Sequence, residues 1–164
     1  MGNSYDYILY TDGGCAVNPG GPGGYGSVLI NCATEEKTEL SAGYFSSTNN
    51  RMEIMAAIVG MESIPKGSTV LLYADSQYVL RTISGEYRKK KNQDLWARLD
   101  TAMEDKIVTT SWVKGHDGNH YNERCDQMAT EAMQCPTLAD TGYTESKTVN
   151  VEKGQPTRQL NYRA

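Results

Sequence analysis

Asp12 closes a first apolar run, Tyr7-Ile8-Leu9-Tyr10, and Asp75 closes a second, Val70-Leu71-Leu72-Tyr73-Ala74, in the same manner. If the two runs are parallel neighbouring strands, both carboxylates emerge at the carboxyl edge of a sheet, where open α/β folds place their ligands. Glu53 stands one turn into a helical segment, and Asp126 stands near the start of another, beside Cys125. Four acids could therefore converge. Carboxylates brought to about 4 Å repel by on the order of 4 kcal/mol at an effective dielectric near 20, so such a cluster calls for cations or raised pKa values. Two divalent ions roughly 4 Å apart, held by carboxylates, form the recurring clamp for in-line attack of water on a phosphodiester. Taken singly, each acid reads as an ordinary turn or helix-end residue. It is their joint placement that carries chemistry.

The elements that must position these acids are legible in outline. Tyr7 to Tyr10 and Val70 to Tyr73 are short continuous apolar runs, the pattern of central strands covered on both faces. Tyr25 to Ile30, Glu39 to Tyr44 and Val108 to Val113 supply three more strands, the first two following the opening run as an antiparallel meander. Met52, Met55, Ala56 and Val59 recur at helical spacing, with Asn49 or Asn50 placed to cap the start and Pro65 and Gly67 to close it, which predicts an amphipathic helix. Ser76 to Ile83, Leu95 to Met103 and Asn122 to Met133 read as further helices, the last with Cys125, Met128, Ala129 and Ala132 on one face. The order predicts a five-stranded mixed α/β sheet flanked by helices. In it the first strand is antiparallel to the second and parallel to the one beginning near Thr69. After Thr144 the chain loses periodicity, so residues 1–143 are expected to form one domain and residues 144–164 a loosely held polar tail.

Composition narrows the function. The 164 residues carry 22% charged and 38% hydrophobic side chains, the balance of a soluble globular chain. The net charge of −4 means that any nucleic acid must be held by local positive charge rather than by the field of the whole molecule. No apolar stretch approaches the roughly 18 residues of a membrane span. Met1 to Asp6 show no signal-like pattern, so a chain without a membrane partner is expected. The four cysteines, Cys15, Cys32, Cys125 and Cys135, form no C-x-x-C pair, which favours free thiols and a cytoplasmic location. With only His116 and His120 in the chain, a multi-histidine metal site is excluded, and a metal would be a hard ion such as magnesium or manganese on carboxylates. Gly21-x-Gly23-x-x-Gly26 satisfies the dinucleotide-binding spacing, but it leads into the strand-like Val28-Leu29-Ile30 and is interrupted by Pro22. That pattern has meaning only between a strand and a helix, so no nucleotide cofactor is expected. These glycines read instead as a turn and a close backbone approach at a groove.

A set of blocks in fixed order resembles bacterial type 1 ribonuclease H. They are Tyr10-Thr11-Asp12-Gly13, Asn18-Pro19-Gly20 through Gly24-Tyr25-Gly26, Thr48-Asn49-Asn50-Arg51-Met52-Glu53, Asp75-Ser76-Gln77-Tyr78-Val79, Trp112-Val113-Lys114-Gly115-His116, and Asn122-Glu123-Arg124-Cys125-Asp126. The resemblance runs from about Tyr7 to Tyr143. It implies the ribonuclease H-like fold and an endonuclease that hydrolyses the RNA strand of RNA–DNA hybrids, leaving 5′-phosphate and 3′-hydroxyl ends. The implied cofactor is a pair of magnesium ions, or manganese, on Asp12, Glu53, Asp75 and Asp126, with Asp12 bridging. His116, in the Gly115-His116-Asp117-Gly118 loop, becomes a mobile residue assisting proton transfer or product departure. Asn18, Asn49 and Gln77 are implied to read RNA 2′-hydroxyls, an assignment suited to amides that both donate and accept. Cys15 would lie close by, and Thr48 would contribute to a pocket for a DNA-strand phosphate. The implied setting is removal of primers and transcription-derived hybrids during DNA replication and repair, by a monomer.

The chain also departs from that family. The long basic protrusion of many bacterial members is reduced here to Arg88-Lys89-Lys90-Lys91, preceded by Tyr87, which could stand in for a family tryptophan. Ser46 replaces a family arginine near the implied phosphate pocket. Weaker and more salt-sensitive substrate binding is therefore expected. Two alternatives stay open at this level: a DNA-cleaving nuclease on the same fold, and a hybrid-binding module without activity. The retention of all four acids argues against the second, because a module that only binds phosphate gains nothing from clustered negative charge.

Overall fold

The structure is a computed structural model that describes residues 5–114 and 118–143. The expected tail, 144–164, lies outside the described residues. Nine elements run in the order β1 (Tyr7–Cys15), β2 (Gly23–Asn31), β3 (Lys37–Tyr44), α1 (Asn49–Glu62), β4 (Thr69–Ala74), α2 (Gln77–Ile83), α3 (Gln93–Met103), β5 (Ile107–Trp112) and α4 (His120–Gln134). The strands form one sheet in the order β3-β2-β1-β4-β5. β1 pairs antiparallel with β2 and parallel with β4, β2 pairs antiparallel with β3, and β4 pairs parallel with β5, which is the predicted mixed topology.

Leu9, Leu72 and Val70 point from the central strands to one face, where α1 supplies Met52, Ile54, Met55, Ile58 and Met61 and α3 adds Leu95, Trp96 and Leu99. Burial of these side chains, each contributing roughly 1.5–3 kcal/mol, holds the sheet, α1 and α3 as one core. α4 lies across β1, β2 and β3 on the opposite face, packing its Cys125 and Met128 on Val28. Among the described residues no helix packs over β4 or β5 on that face, and Ile8, Tyr10, Leu71 and Tyr73 are half-buried rather than covered. The continuous apolar runs thus conceal an alternation. One set of side chains enters the main core, and the other lies on a partly open face where the Tyr10 and Tyr73 rings stack at 4.7 Å.

Two further expectations change. α1 is not amphipathic: Arg51, Met52, Ile54, Met55, Ala56, Ala57, Ile58, Gly60 and Met61 are all buried. The reason is its position, between the sheet on one side and α3 on the other. Its cap is Thr48, whose hydroxyl accepts from the Arg51 N–H at 3.1 Å, in place of Asn49 or Asn50, both of which already lie inside the helix. Among the described residues no helix is long and apolar enough to cross a membrane.

Candidate active site

Asp12 does not follow β1 but lies within it. The parallel pairing with β4 ends at Thr11 opposite Ala74, while the antiparallel pairing with β2 continues through Asp12 opposite Gly26 as far as Cys15 opposite Gly23. Asp12 therefore stands where the sheet opens on one side and stays bonded on the other. Asp75 emerges one residue beyond the end of β4, at the same edge.

Two glycines let helices approach this point. A side-chain carbon on Gly13 would collide with the α1 backbone at Met52 and come 2.6 Å from the Glu53 nitrogen. Its absence allows α1 to cross β1 here, bringing Glu53 beside Asp12. On the other face, a side chain on Gly26, the cross-strand partner of Asp12, would collide with the Cys125 carbonyl of α4. The close seating of α4 brings Asp126 near enough for its charge to act on Asp12, while the acids whose oxygens gather within 4.8 Å are Asp12, Glu53 and Asp75 without it. The Cys125 thiol meanwhile donates to the Tyr10 carbonyl at 3.3 Å. The close approach expected of the glycine-rich segment is therefore real, but at Gly24 and Gly26 it is made to α4 and not to a substrate groove.

Ligand oxygens of Asp12, Glu53 and Asp75 all lie within 4.8 Å of one another. Burial and the nearby charge of Asp75 push the Asp12 carboxyl up to about 8, against the pull of the Gly13 N–H, which donates to Asp12 Oδ1 at 2.9 Å. Burial, then the charges of Asp12 and Asp75, raise Glu53 well above the ordinary carboxylate range. Glu53 Oε1 is buried without a hydrogen-bonding partner among the described residues. An orphaned oxygen facing two further acids is costly in the protein alone, and a hard divalent cation removes both the repulsion and the unmet acceptor. The donor set fits such an ion.

The substrate-binding expectations separate into groups. Asn18 Oδ1 accepts from the Asn49 N–H at 3.0 Å, and the Cys15 thiol donates to the Gly21 carbonyl at 3.1 Å. The 16–22 loop is docked on the segment entering α1 by Gly20 N–H to Ser47 O and Ser47 N–H to Gly21 O, so these three residues are brought together. Ser46 is buried, its hydroxyl donating to the Gly20 carbonyl at 2.7 Å. Gln77 is exposed on the first turn of α2, accepting from Arg81 Nε. Thr48 shares a groove with Lys90, Lys91 and Asn92. Arg88, Lys90 and Lys91 line a neighbouring cavity of about 410 Å³ with Tyr78 and Tyr87, whereas Lys89 is turned to Asp100 at 2.8 Å. His116 lies outside the described residues.

One positioning group has no signal in the sequence. Arg51, buried two residues before Glu53, bonds Asp140 through Nε at 2.8 Å and Asp94 through Nη2 at 2.7 Å, tying α1, α3 and the chain after α4 together. A charged residue in the first turn of a helix ordinarily faces solvent, and its partners lie 43 and 89 positions away. The local sequence holds no sign of them.

The sheet order, with acids gathered where β1 and β4 end, defines the ribonuclease H-like class of α/β folds. The RNase H family model matches residues 4–134, and the chain belongs to that family. It is 47% identical over 148 residues to ribonuclease H of Yersinia enterocolitica, covering 82% of this chain and 94% of that protein. Among solved structures, the N-terminal RNase H domain of rv2228c from Mycobacterium tuberculosis superposes with a TM-score of 0.69 at 24% identity, covering 80% of this chain and 95% of that one. LC11-RNase H1 in complex with an RNA/DNA hybrid gives 0.65 at 24% identity, covering 78% of this chain and 96% of that one.

Proposed function

We propose that this chain is an endoribonuclease that hydrolyses the RNA strand of RNA–DNA hybrids, leaving 5′-phosphate and 3′-hydroxyl ends. The observation that carries the reading is the convergence of Asp12, Glu53 and Asp75 within 4.8 Å, with a buried Glu53 oxygen that lacks a partner among the described residues. Its relationship to named ribonucleases H, and the hybrid held by one structural relative, support the choice of substrate.

Asp12, Glu53, Asp75 and Asp126 would hold two magnesium ions, with manganese as a substitute. When bound, the ions supply charge neutralisation at the leaving oxygen and a more acidic water. The protein's own part is positional. Asp12 is fixed by its strand ladder, Glu53 by the mid-helix seat above Gly13, and Asp126 by α4 on Gly26. In the hydrolysis, water attacks phosphorus and gives up a proton, the P–O3′ bond breaks as the new P–O bond forms, and O3′ takes up a proton to leave as the 3′-hydroxyl, so no covalent link to the protein is needed. His116 takes the proton-transfer or product-release role. Asn18, Asn49 and Gln77 contact the RNA strand near Cys15. Thr48 and the Arg88, Lys89, Lys90, Lys91 run, with Tyr87, contact phosphate and sugar of the DNA strand. The enzyme acts as a monomer in the cytoplasm, clearing primers and hybrids during DNA replication. The buried Cys125 thiol, which donates to Tyr10, suits a reducing compartment.

Incubation of end-labelled RNA–DNA hybrid, duplex DNA and duplex RNA with magnesium tests the reading. Cutting is expected in the RNA strand of the hybrid alone, and Asp12→Asn is expected to lower the rate at least about a thousandfold, the scale of losing a charge-stabilising group at the reacting centre. Cutting of duplex DNA would favour the DNA nuclease, and hybrid bound but never cut would favour the silent binding module.

A further inference from the structure

Asp12 and Glu53 are each locked by backbone on both sides, one within a strand and the other within a helix. Asp75 is different. It sits in the bend between β4 and α2, after the last residue of the β4–β5 ladder, where Ala74 opposes Trp112 and the Val113 N–H donates to the Ala74 carbonyl at 2.9 Å. Beyond that rung the strand's regular backbone pairing with β5 has ended. The next carbonyl, that of Asp75 itself, accepts from the indole Nε1–H of Trp112 at 3.3 Å. A side chain thus extends the ladder by one further rung, onto the acid whose charge most opposes ionisation of Asp12.

Trp112 is an unusual residue to leave in this place. It is 52% exposed, whereas the other tryptophan, Trp96, is 1% exposed in the core. Burial therefore gives little reason for an indole here, and its donor is spent on the one carbonyl that fixes the peptide plane next to Asp75. We propose that Trp112 is a positioning residue for the metal site: its indole N–H holds the β4–α2 bend so that the Asp75 carboxylate stays aimed at Asp12 and Glu53 against their mutual repulsion. Loss of this bond lets the bend shift more easily than the strand and helix that carry Asp12 and Glu53, and binding a cation must then restore the aim at its own expense. The effect belongs to metal affinity and leaves the contacts to the hybrid alone.

This inference rests on the carboxylate–metal reading above, and the test separates the two. In the native protein, the two indole N–H signals of a ¹⁵N correlation spectrum are followed during a magnesium titration without substrate, and Trp112→Phe assigns them. The Trp112 signal is expected to shift with the midpoint of magnesium binding measured by calorimetry, and the Trp96 signal to stay still. Trp112→Phe, which keeps an aromatic ring and removes the donor, is expected to weaken magnesium binding about three- to tenfold, the worth of one hydrogen bond. The KM for hybrid at saturating magnesium should remain at the native value. An indole signal indifferent to magnesium, or a variant with native magnesium affinity, overturns the role given to Trp112. Native protein that binds no magnesium by calorimetry overturns the metal reading itself.

Discussion

Asp12 shows how a single side chain sets the behaviour of the site before any substrate arrives. Its carboxyl is pushed up to about 8 by burial and by Asp75, far above the roughly 3.9 of an unfolded chain. Between those values the folded protein binds more protons than the unfolded one, so stability falls as pH rises through the window. The raised Glu53 acts in the same direction. In EDTA, the melting temperature is expected to be higher at pH 5 than at pH 8, and Asp12→Asn to flatten the difference. Magnesium should raise the melting temperature more at pH 8, where the cluster is ionised, than at pH 5. Glu39 beside Arg124 and Asp94 beside Arg51 are shifted the opposite way, held below the ordinary carboxylate range by their arginine partners. A melting temperature that is level or rises from pH 5 to pH 8, with no response to the substitution, would refute the assignment of strain to this cluster.

At the scale of elements, the site depends on two helices approaching one strand point from opposite faces. Gly13→Ala places a methyl group against the α1 backbone at Met52 and Glu53. Overpacking of this kind costs about 1–3 kcal/mol. Because the displaced atoms carry Glu53, activity is expected to fall much further than the loss of folded protein explains, which thermal melts and kcat at saturating magnesium on the same preparation would show. A melting temperature and a kcat both at native level would rule out the close-approach account. Strand and helix positions are largely legible in the sequence, because period-two and period-3.6 patterns are local. Environment is not. The apolar spacing of Met52, Met55, Ala56 and Val59 implies one wet face, yet α3 covers it, and the helix is buried on both sides. The apolar start of β1 implies a strand ending at Tyr10, yet pairing with β2 carries it through Gly13 and Gly14 to Cys15. Glycine looks like a terminator in one dimension and is a point of contact in three.

The whole molecule carries −4 of net charge, so its long-range field repels the polyanion it is proposed to cut. Among the described residues the run Arg88 to Lys91, in the strap between α2 and α3, is the densest stretch of positive charge, and attraction is expected from it. Arg81 holds this strap by donating to the Tyr87 hydroxyl at 3.2 Å, and Lys89 anchors it to α3 through Asp100. Lys90 and Lys91 line both grooves. Replacing both with Gln is expected to reduce the slope of log affinity for hybrid against log salt by about 2, near one for each lysine that neutralises a phosphate. Lys89→Gln should do less, since its charge is already engaged. A salt slope unchanged by all three substitutions would remove the strap from the binding surface.

The sequence by itself determined the kinds and order of the elements and pointed to Asp12, Glu53 and Asp75, the acids the fold brings together, because these are written in residue type and short-range spacing. The tertiary structure alone decided that Asp12 lies inside a strand, that Arg51 is buried between Asp94 and Asp140, and that an exposed indole is bonded to the Asp75 carbonyl. The last two facts join residues 37 to 89 positions apart. Contacts of that reach are set by how the faces of a folded sheet and its helices meet, and no local period encodes them.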